Sequence, residues 1–308
     1  MGKTAYLAID YICNENCLFC PCSKSEKKAG MIAPFAEIQE SVDHFFQDGI
    51  EQIVISGGEP TLHPNLDAVI EYAQGKGMDV TLLSNGELFS NSNFLRGFLD
   101  EVDVSKLIVI TTFHSHLAHE HERANQTPGS FQRSLRGLHL LSNTKATIVV
   151  KHCITRMNYQ ELKNFYEFFD ASFPETVSMQ LCGIDYCGIP KERLEEEMLS
   201  FTEIKPYLET LFDAHLVRQK EGSVRNLYCI NMPLCCCDAY YWPFIRKKPQ
   251  KTYQAYKDPR NRTITNAAEN VGAFGDACKT CAAFALCSGT YRTAFEAFGD
   301  RIVKPYKR

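Results

Sequence analysis

"AYLAIDYICNENCLFC", Ala5–Cys20, runs from an apolar stretch straight into three cysteines at the spacing C-x3-C-x2-C. "AYLAID" (5–10) reads as a buried strand, so Cys13, Cys17 and Cys20 leave from its carboxyl end. Outward from there a rhythm follows. "PFAEIQESVDHFFQDG" (34–49) has helical periodicity, with Pro34 as a start and Gly49 as a stop. "IEQIVISGGEP" (50–60) reads as a strand ending in glycines, 64–77 as a helix and "DVTLLSNG" (79–86) as a strand. Further strands are expected at 106–113, 146–154 and 176–184, with helical patterns between them. Strands alternating with helices predict an α/β fold with parallel strands and helical crossovers. A parallel α/β barrel carries its functional loops at the carboxyl ends of the strands. The cysteine loop, "SGGEP", "SNG", "FHSH" and "TR" then converge on one face.

The chain has 308 residues, 44% hydrophobic and 23% charged, which is room for one large domain or two smaller ones. Its net charge of −4 gives no basic excess, so no nucleic-acid partner is expected. No window approaches 18 consecutive apolar residues and the first residues lack the apolar stretch of a signal peptide. A cytoplasmic protein with no membrane partner is therefore expected. The strand–helix rhythm stops near 190, which predicts a barrel over 1–195 and a smaller domain over 196–308. Fourteen cysteines fall in tight groups, a layout that reads as metal or iron–sulfur ligation rather than disulfides.

A closed zinc or iron–sulfur site takes four protein ligands. Three thiolates on a four-iron cluster leave one iron open to a substrate or cofactor. Cys22 is an awkward fourth ligand, because Pro21 restricts the backbone between it and Cys20. "HSHLAHEH" (His114, His116, His119, His121) has the look of a metal motif but reads as a polar loop over the barrel mouth. "CKTCAAFALC" supplies three more thiols, Cys278, Cys281 and Cys287. Cys235 in "NMPLC" is the candidate fourth, in competition with Cys236 and Cys237. Four thiolates would also suit a structural zinc.

The triplet, with Phe19 before its last cysteine, "GGEP" at 57–60 and "LLSNG" at 82–86 together resemble the radical S-adenosylmethionine (SAM) superfamily. The resemblance implies a partial (β/α)6 TIM-like barrel and a [4Fe-4S] cluster with an open iron that SAM fills. Reductive cleavage of SAM then gives a 5′-deoxyadenosyl radical, which abstracts a hydrogen atom from the substrate. It also implies SAM-contacting roles for Phe19, Gly57, Gly58, Glu59, Ser84 and Asn85. Thr112 and His114 stand where relatives often carry Ser and Asp, and Arg156 is expected to pair with the SAM carboxylate. The C-terminal cysteines resemble SPASM and twitch domains, which implies an auxiliary [4Fe-4S] cluster on Cys235, Cys278, Cys281 and Cys287. Tyr291 stands where a full SPASM motif continues with Cys, so one auxiliary cluster is expected. Residues 225–308 resemble peptide-maturing proteins of the His-Xaa-Ser type. A ribosomally made peptide substrate and a flavodoxin or ferredoxin electron donor follow from that. The competing expectations are an enzyme acting on a small molecule, such as an aminosugar or cofactor precursor, and a non-catalytic cluster protein. Adjacent thiols cannot all reach one cluster, so Cys236 or Cys237 is expected as a free thiol at the barrel mouth, able to return a hydrogen atom to a substrate radical.

Overall fold

The computed structural model describes residues 3–22, 30–246, 254–259, 261–266 and 271–307. Seven parallel strands form a curled half-barrel: β1 (Lys3–Ala8), β2 (Ile50–Ser56), β3 (Asp79–Ser84), β4 (Leu107–Thr112), β5 (Thr147–Cys153), β6 (Ser178–Cys182) and β7 (Leu227–Ile230). They lie in sequence order across the sheet. Beyond β1 the sheet continues into β8 (Gln254–Asp258), parallel to it, and β9 (Asn261–Asn266), antiparallel to β8. Helices α1 (Phe35–Gln47), α2 (Leu66–Gly75), α3 (Ser92–Glu101), α4 (Ala118–Asn125), α5 (Ser130–Ser142) and α6 (Leu162–Ser172) fill the crossovers. A short α7 (Leu194–Glu197), the long α8 (Phe201–Lys220) and α9 (Arg292–Phe298) follow. No described helix is long and apolar enough to cross a membrane.

Successive side chains of a strand point to opposite faces. The residues on one face join the helices in the main core: Ala5 and Leu7, Ile53 and Ile55, Val80 and Leu82, Ile148 and Val150, Met179 and Leu181. The other, concave face is more polar. Thr4, Gln52 and Thr81 hydrogen-bond across it in a row. Nearer the carboxyl ends Ser56, Leu83, Thr112, Lys151 and Cys153 are only half-buried there.

β7 adds a seventh strand to the six expected. It lies inside the stretch assigned to a separate C-terminal domain, because "LYCI" (227–230) is too short to announce itself. Arg225 explains its placement. This side chain is 1% exposed and sits 4.6 Å over the Phe169 ring. It donates to Asp170 Oδ1 and to the carbonyls of Phe173, Pro174 and Val177 at 2.7–3.1 Å. The guanidinium thus ties the end of α6 to the residue leading into β7. Arg225→Met is expected to cost about 3–5 kcal/mol, since it strands buried carbonyls and removes a charge partner. The urea midpoint reads this directly, and an unchanged midpoint would refute the assigned role.

Candidate functional site

The cysteine loop sits at the carboxyl end of β1 and is clasped from several sides. Gly58 N–H donates to the Asp10 carbonyl at 3.0 Å, and Glu59 N–H donates to the Ile12 carbonyl at 2.6 Å. Glycine is required for this approach. A Cβ on Gly57 would lie 2.4 Å from the Asp10 carbonyl oxygen, and one on Gly58 would lie 2.1 Å from that of Ile12. Both glycines therefore press against the chain entering the cysteine loop. On the far side Asn16 and Leu18 N–H donate to the carbonyls of Asn125 and Ala124 at 2.9 Å. Gly188, after β6, closes a third side: a Cβ there would lie 2.4 Å from the Cys20 carbonyl oxygen. Cys13, Cys17 and Cys20 are held half-buried between these clasps.

Glu59 organises the next strand end. Its Oε1 accepts from Thr61 N–H (3.1 Å), the Thr61 hydroxyl (2.6 Å) and the Ser84 hydroxyl (2.8 Å), and its Oε2 accepts from Asn85 N–H (2.7 Å). Burial pushes this carboxyl's pKa up, and the four donors oppose the shift. Asn85 Nδ2 donates to Asn14 Oδ1 at 2.8 Å, which couples the β3 end to the cysteine loop. The structure thus brings Gly57, Gly58, Glu59, Ser84 and Asn85 together around the loop. The Phe19 ring meets His114 edge-on at 5.2 Å, and Thr112 lies on the concave face beside Lys151. Arg156 is occupied elsewhere. It bonds Glu203 on α8 at 2.8 Å and the Met198 carbonyl, and packs over Tyr159.

Do these thiols suit a cluster? Glu15 N–H donates to Cys13 Sγ at 3.4 Å, the kind of bond that favours a thiolate. A single tetrahedral zinc would draw its sulfurs to about 3.8 Å of one another, given Zn–S of ~2.3 Å. Among the described residues, only Glu15, Cys17 and His114 offer three ligand atoms all within 4.8 Å of one another. Burial pushes the Glu15 carboxyl up to about 8, which leaves this trio without a carboxylate charge for a cation near neutrality. Its carboxyl instead accepts from the Cys17 thiol (3.3 Å) and from Asn125 Nδ2 (2.7 Å). The more widely spaced Cys13, Cys17 and Cys20 fit a multi-iron cluster better than one ion. Cys22 turns to the Gly57 carbonyl at 3.8 Å.

In the C-terminal region Cys235, Cys278, Cys281 and Cys287 are electrostatic neighbours of one another, and burial pushes the Cys235 thiol up to about 12. The N–H groups of Leu234 and Gly289 donate to Cys287 Sγ at 3.3 and 3.4 Å. No three of these sulfurs lie within 4.8 Å of one another either. Cys236 and Cys237 are fully buried beside Cys229. Both belong to the main core, together with Cys229 and its register partner Leu181. The concave face instead carries Lys151, Cys153 and Cys182, which the sequence reading passed over. The signal was available: "KHC" puts a lysine and a cysteine two apart in an apolar strand, hence on one face.

A family model described as the Radical SAM superfamily matches residues 9–169. The AdoMet-dependent heme synthase of Methanosarcina barkeri is 26% identical over 156 residues, 50% of this chain and 43% of the relative. The antilisterial bacteriocin subtilosin biosynthesis protein AlbA of Bacillus subtilis is 25% identical over 162 residues, 53% of this chain and 35% of the relative. The chain spans about two fifths of the length of the curated relatives it matches. Streptococcus suis SuiB bound to its precursor peptide SuiA superposes with a TM-score of 0.67 at 11% identity, covering 100% of this chain and 75% of SuiB.

Proposed function

Because the chain belongs to the radical SAM superfamily, we propose that it modifies a ribosomally made peptide, using a [4Fe-4S] cluster held by Cys13, Cys17 and Cys20. The observation that carries this reading is the clasped cysteine loop, which presents three thiols while Cys22 turns to the Gly57 carbonyl. With SAM at the open iron, such a cluster supplies one-electron cleavage of SAM and hydrogen-atom abstraction from an unactivated carbon. The chain's own residues do the rest. Gly57 and Gly58 fix the loop against β2. Glu59, Ser84 and Asn85 set the polar edge where SAM's amino and ribose groups would bond, and Phe19 and Thr112 border the adenine side. Arg156 in this conformation serves the α8 contact. The buried outer core and the helices keep bulk water from one side of the reacting region. We assign Cys235, Cys278, Cys281 and Cys287 to an auxiliary iron–sulfur cluster.

The peptide assignment draws on AlbA and on SuiB with its precursor peptide. The heme synthase relatives favour a second reading, action on a small molecule. A flavodoxin or ferredoxin serves as electron donor in either. The two readings part in one experiment. The anaerobically reconstituted protein is given SAM, a reductant and the short peptides encoded beside its gene. A peptide mass change proportional to 5′-deoxyadenosine is expected. Turnover of a tetrapyrrole or aminosugar with every peptide unchanged would replace this reading with the second.

A further inference from the structure

On the concave face, Cys153 of β5 and Cys182 of β6 are register partners, so their side chains stand together on one side of the sheet. Each thiol is the main influence on the other's acidity. The Tyr291 hydroxyl lies 3.5 Å from Cys182 Sγ and accepts from Asn231 Nδ2 at 2.7 Å. Asn231 is held for this role in a left-handed conformation, φ 52°, while its carbonyl accepts from the Thr290 hydroxyl at 2.8 Å. Lys151, two residues before Cys153 on this face, is the cation whose charge acts on both sulfurs. No carboxylate among the described residues lies within 4.0 Å of its ammonium. The neighbouring Cys153 thiol, with Lys151 behind it, draws the Cys182 pKa down, while Cys182 and burial push that of Cys153 up, so the proton stays on Cys153. Cys153 and Cys182 are the last residues of β5 and β6, at the same carboxyl edge of the sheet from which the cysteine loop leaves β1. A pair of packing cysteines would sit among apolar side chains; this one has a lysine, a phenol and an amide around it.

We propose that Cys153 and Cys182 are a hydrogen-donating dithiol of the half-barrel, which returns a hydrogen atom to a carbon radical on the bound substrate so that carbon is not oxidised overall. The proposal rests on the radical-enzyme reading above. The S–H bond of Cys153 breaks as the new C–H bond forms. The resulting thiyl radical bonds the neighbouring Cys182 thiolate as a disulfide radical anion. Its extra electron passes to an oxidised one-electron carrier of the flavodoxin or ferredoxin class, which leaves a disulfide. An external dithiol reductant then returns two electrons and a proton. Lys151 holds the thiolate in place, and Tyr291 fixes the Cys182 side chain.

The probe is SAM alone. The reconstituted holoenzyme is run with SAM and titanium(III) citrate in deuterated water, with no added thiol or substrate. Sulfur-bound hydrogen exchanges with solvent and carbon-bound hydrogen does not. A donor thiol in the chamber therefore marks 5′-deoxyadenosine with solvent deuterium. The wild type is expected to give labelled product, and the double variant Cys153→Ser/Cys182→Ser, with unchanged iron content, is expected to lose the label. Serine keeps the size and the hydrogen bonds but does not give up a hydrogen atom. A second arm needs no SAM: anaerobic treatment with the two-electron thiol oxidant diamide, then alkylation and peptide mapping, is expected to show a Cys153–Cys182 disulfide. Unlabelled 5′-deoxyadenosine from the wild type, label persisting in the double variant, or both thiols alkylated after oxidation overturns the dithiol. Absence of 5′-deoxyadenosine altogether overturns the parent reading instead.

Discussion

Replacing Cys13, Cys17 and Cys20 together by Ala is expected to lower bound iron from about eight to about four atoms per chain, two four-iron clusters reduced to one, and to abolish 5′-deoxyadenosine formation. The size of the effect follows from the geometry. Three thiols in one turn are the whole donor set, and no other described cysteine projects from that turn except Cys22, which bonds the Gly57 carbonyl. The fold should survive, because the three side chains are half-buried and lie outside the main core. Iron analysis and chromatography of the SAM products measure both quantities. Undiminished 5′-deoxyadenosine from the triple variant would overturn the assignment of the loop. About four irons in the wild type, with stoichiometric zinc, would instead return the C-terminal thiols to a structural zinc.

Gly58→Ala should be nearly as damaging, through a single methyl group. Its Cβ would meet the Ile12 carbonyl oxygen at 2.1 Å and the Ile12 carbonyl carbon at 2.6 Å, and both are backbone atoms that cannot rotate away. The loop must back off and lose the bond from Glu59 N–H to Ile12. Overpacking of this kind costs about 1–3 kcal/mol. The strain falls one residue before Cys13, so the expected result is loss of the N-terminal iron with the C-terminal iron retained. Spectroscopy of the variant beside the cysteine triple variant distinguishes the sites. A full iron load and wild-type SAM cleavage would show that the clasp is dispensable.

The parallel architecture was legible because each strand of "IEQIVISGGEP" or "DVTLLSNG" type is a dense apolar run bounded by glycine or asparagine. That Cys13, Cys17 and Cys20 leave the sheet together at the end of β1 was legible because they follow one apolar run at short spacing. What escaped notice has a common physical cause. The placement of β7 depends on Arg225 reaching carbonyls some fifty residues earlier, and no local pattern encodes that reach. Arg156 looked available because its partner Glu203 lies on a distant helix. "LCCCDAY" drew attention to Cys236 and Cys237 by density alone, whereas strand register decides which thiols face the chamber, and register selects Cys153 and Cys182. Glycines at 57 and 58 were noticed as a pair, but only the fold shows what they press against.

Tyr291 comes from a segment more than a hundred residues after Cys182 and yet rests on the chamber floor; nearby, the Thr293 hydroxyl donates to Asp185 at 2.7 Å. The chamber therefore has a detachable wall. Grafting the C-terminal segment of one such protein onto the barrel of another would alter the surroundings of the reacting carbon, even with every barrel residue left in place. The two halves of the sequence must change together, and an exchange that ignores the 185–293 and 231–291 contacts should yield a chain that binds iron and leaves its chamber misshapen.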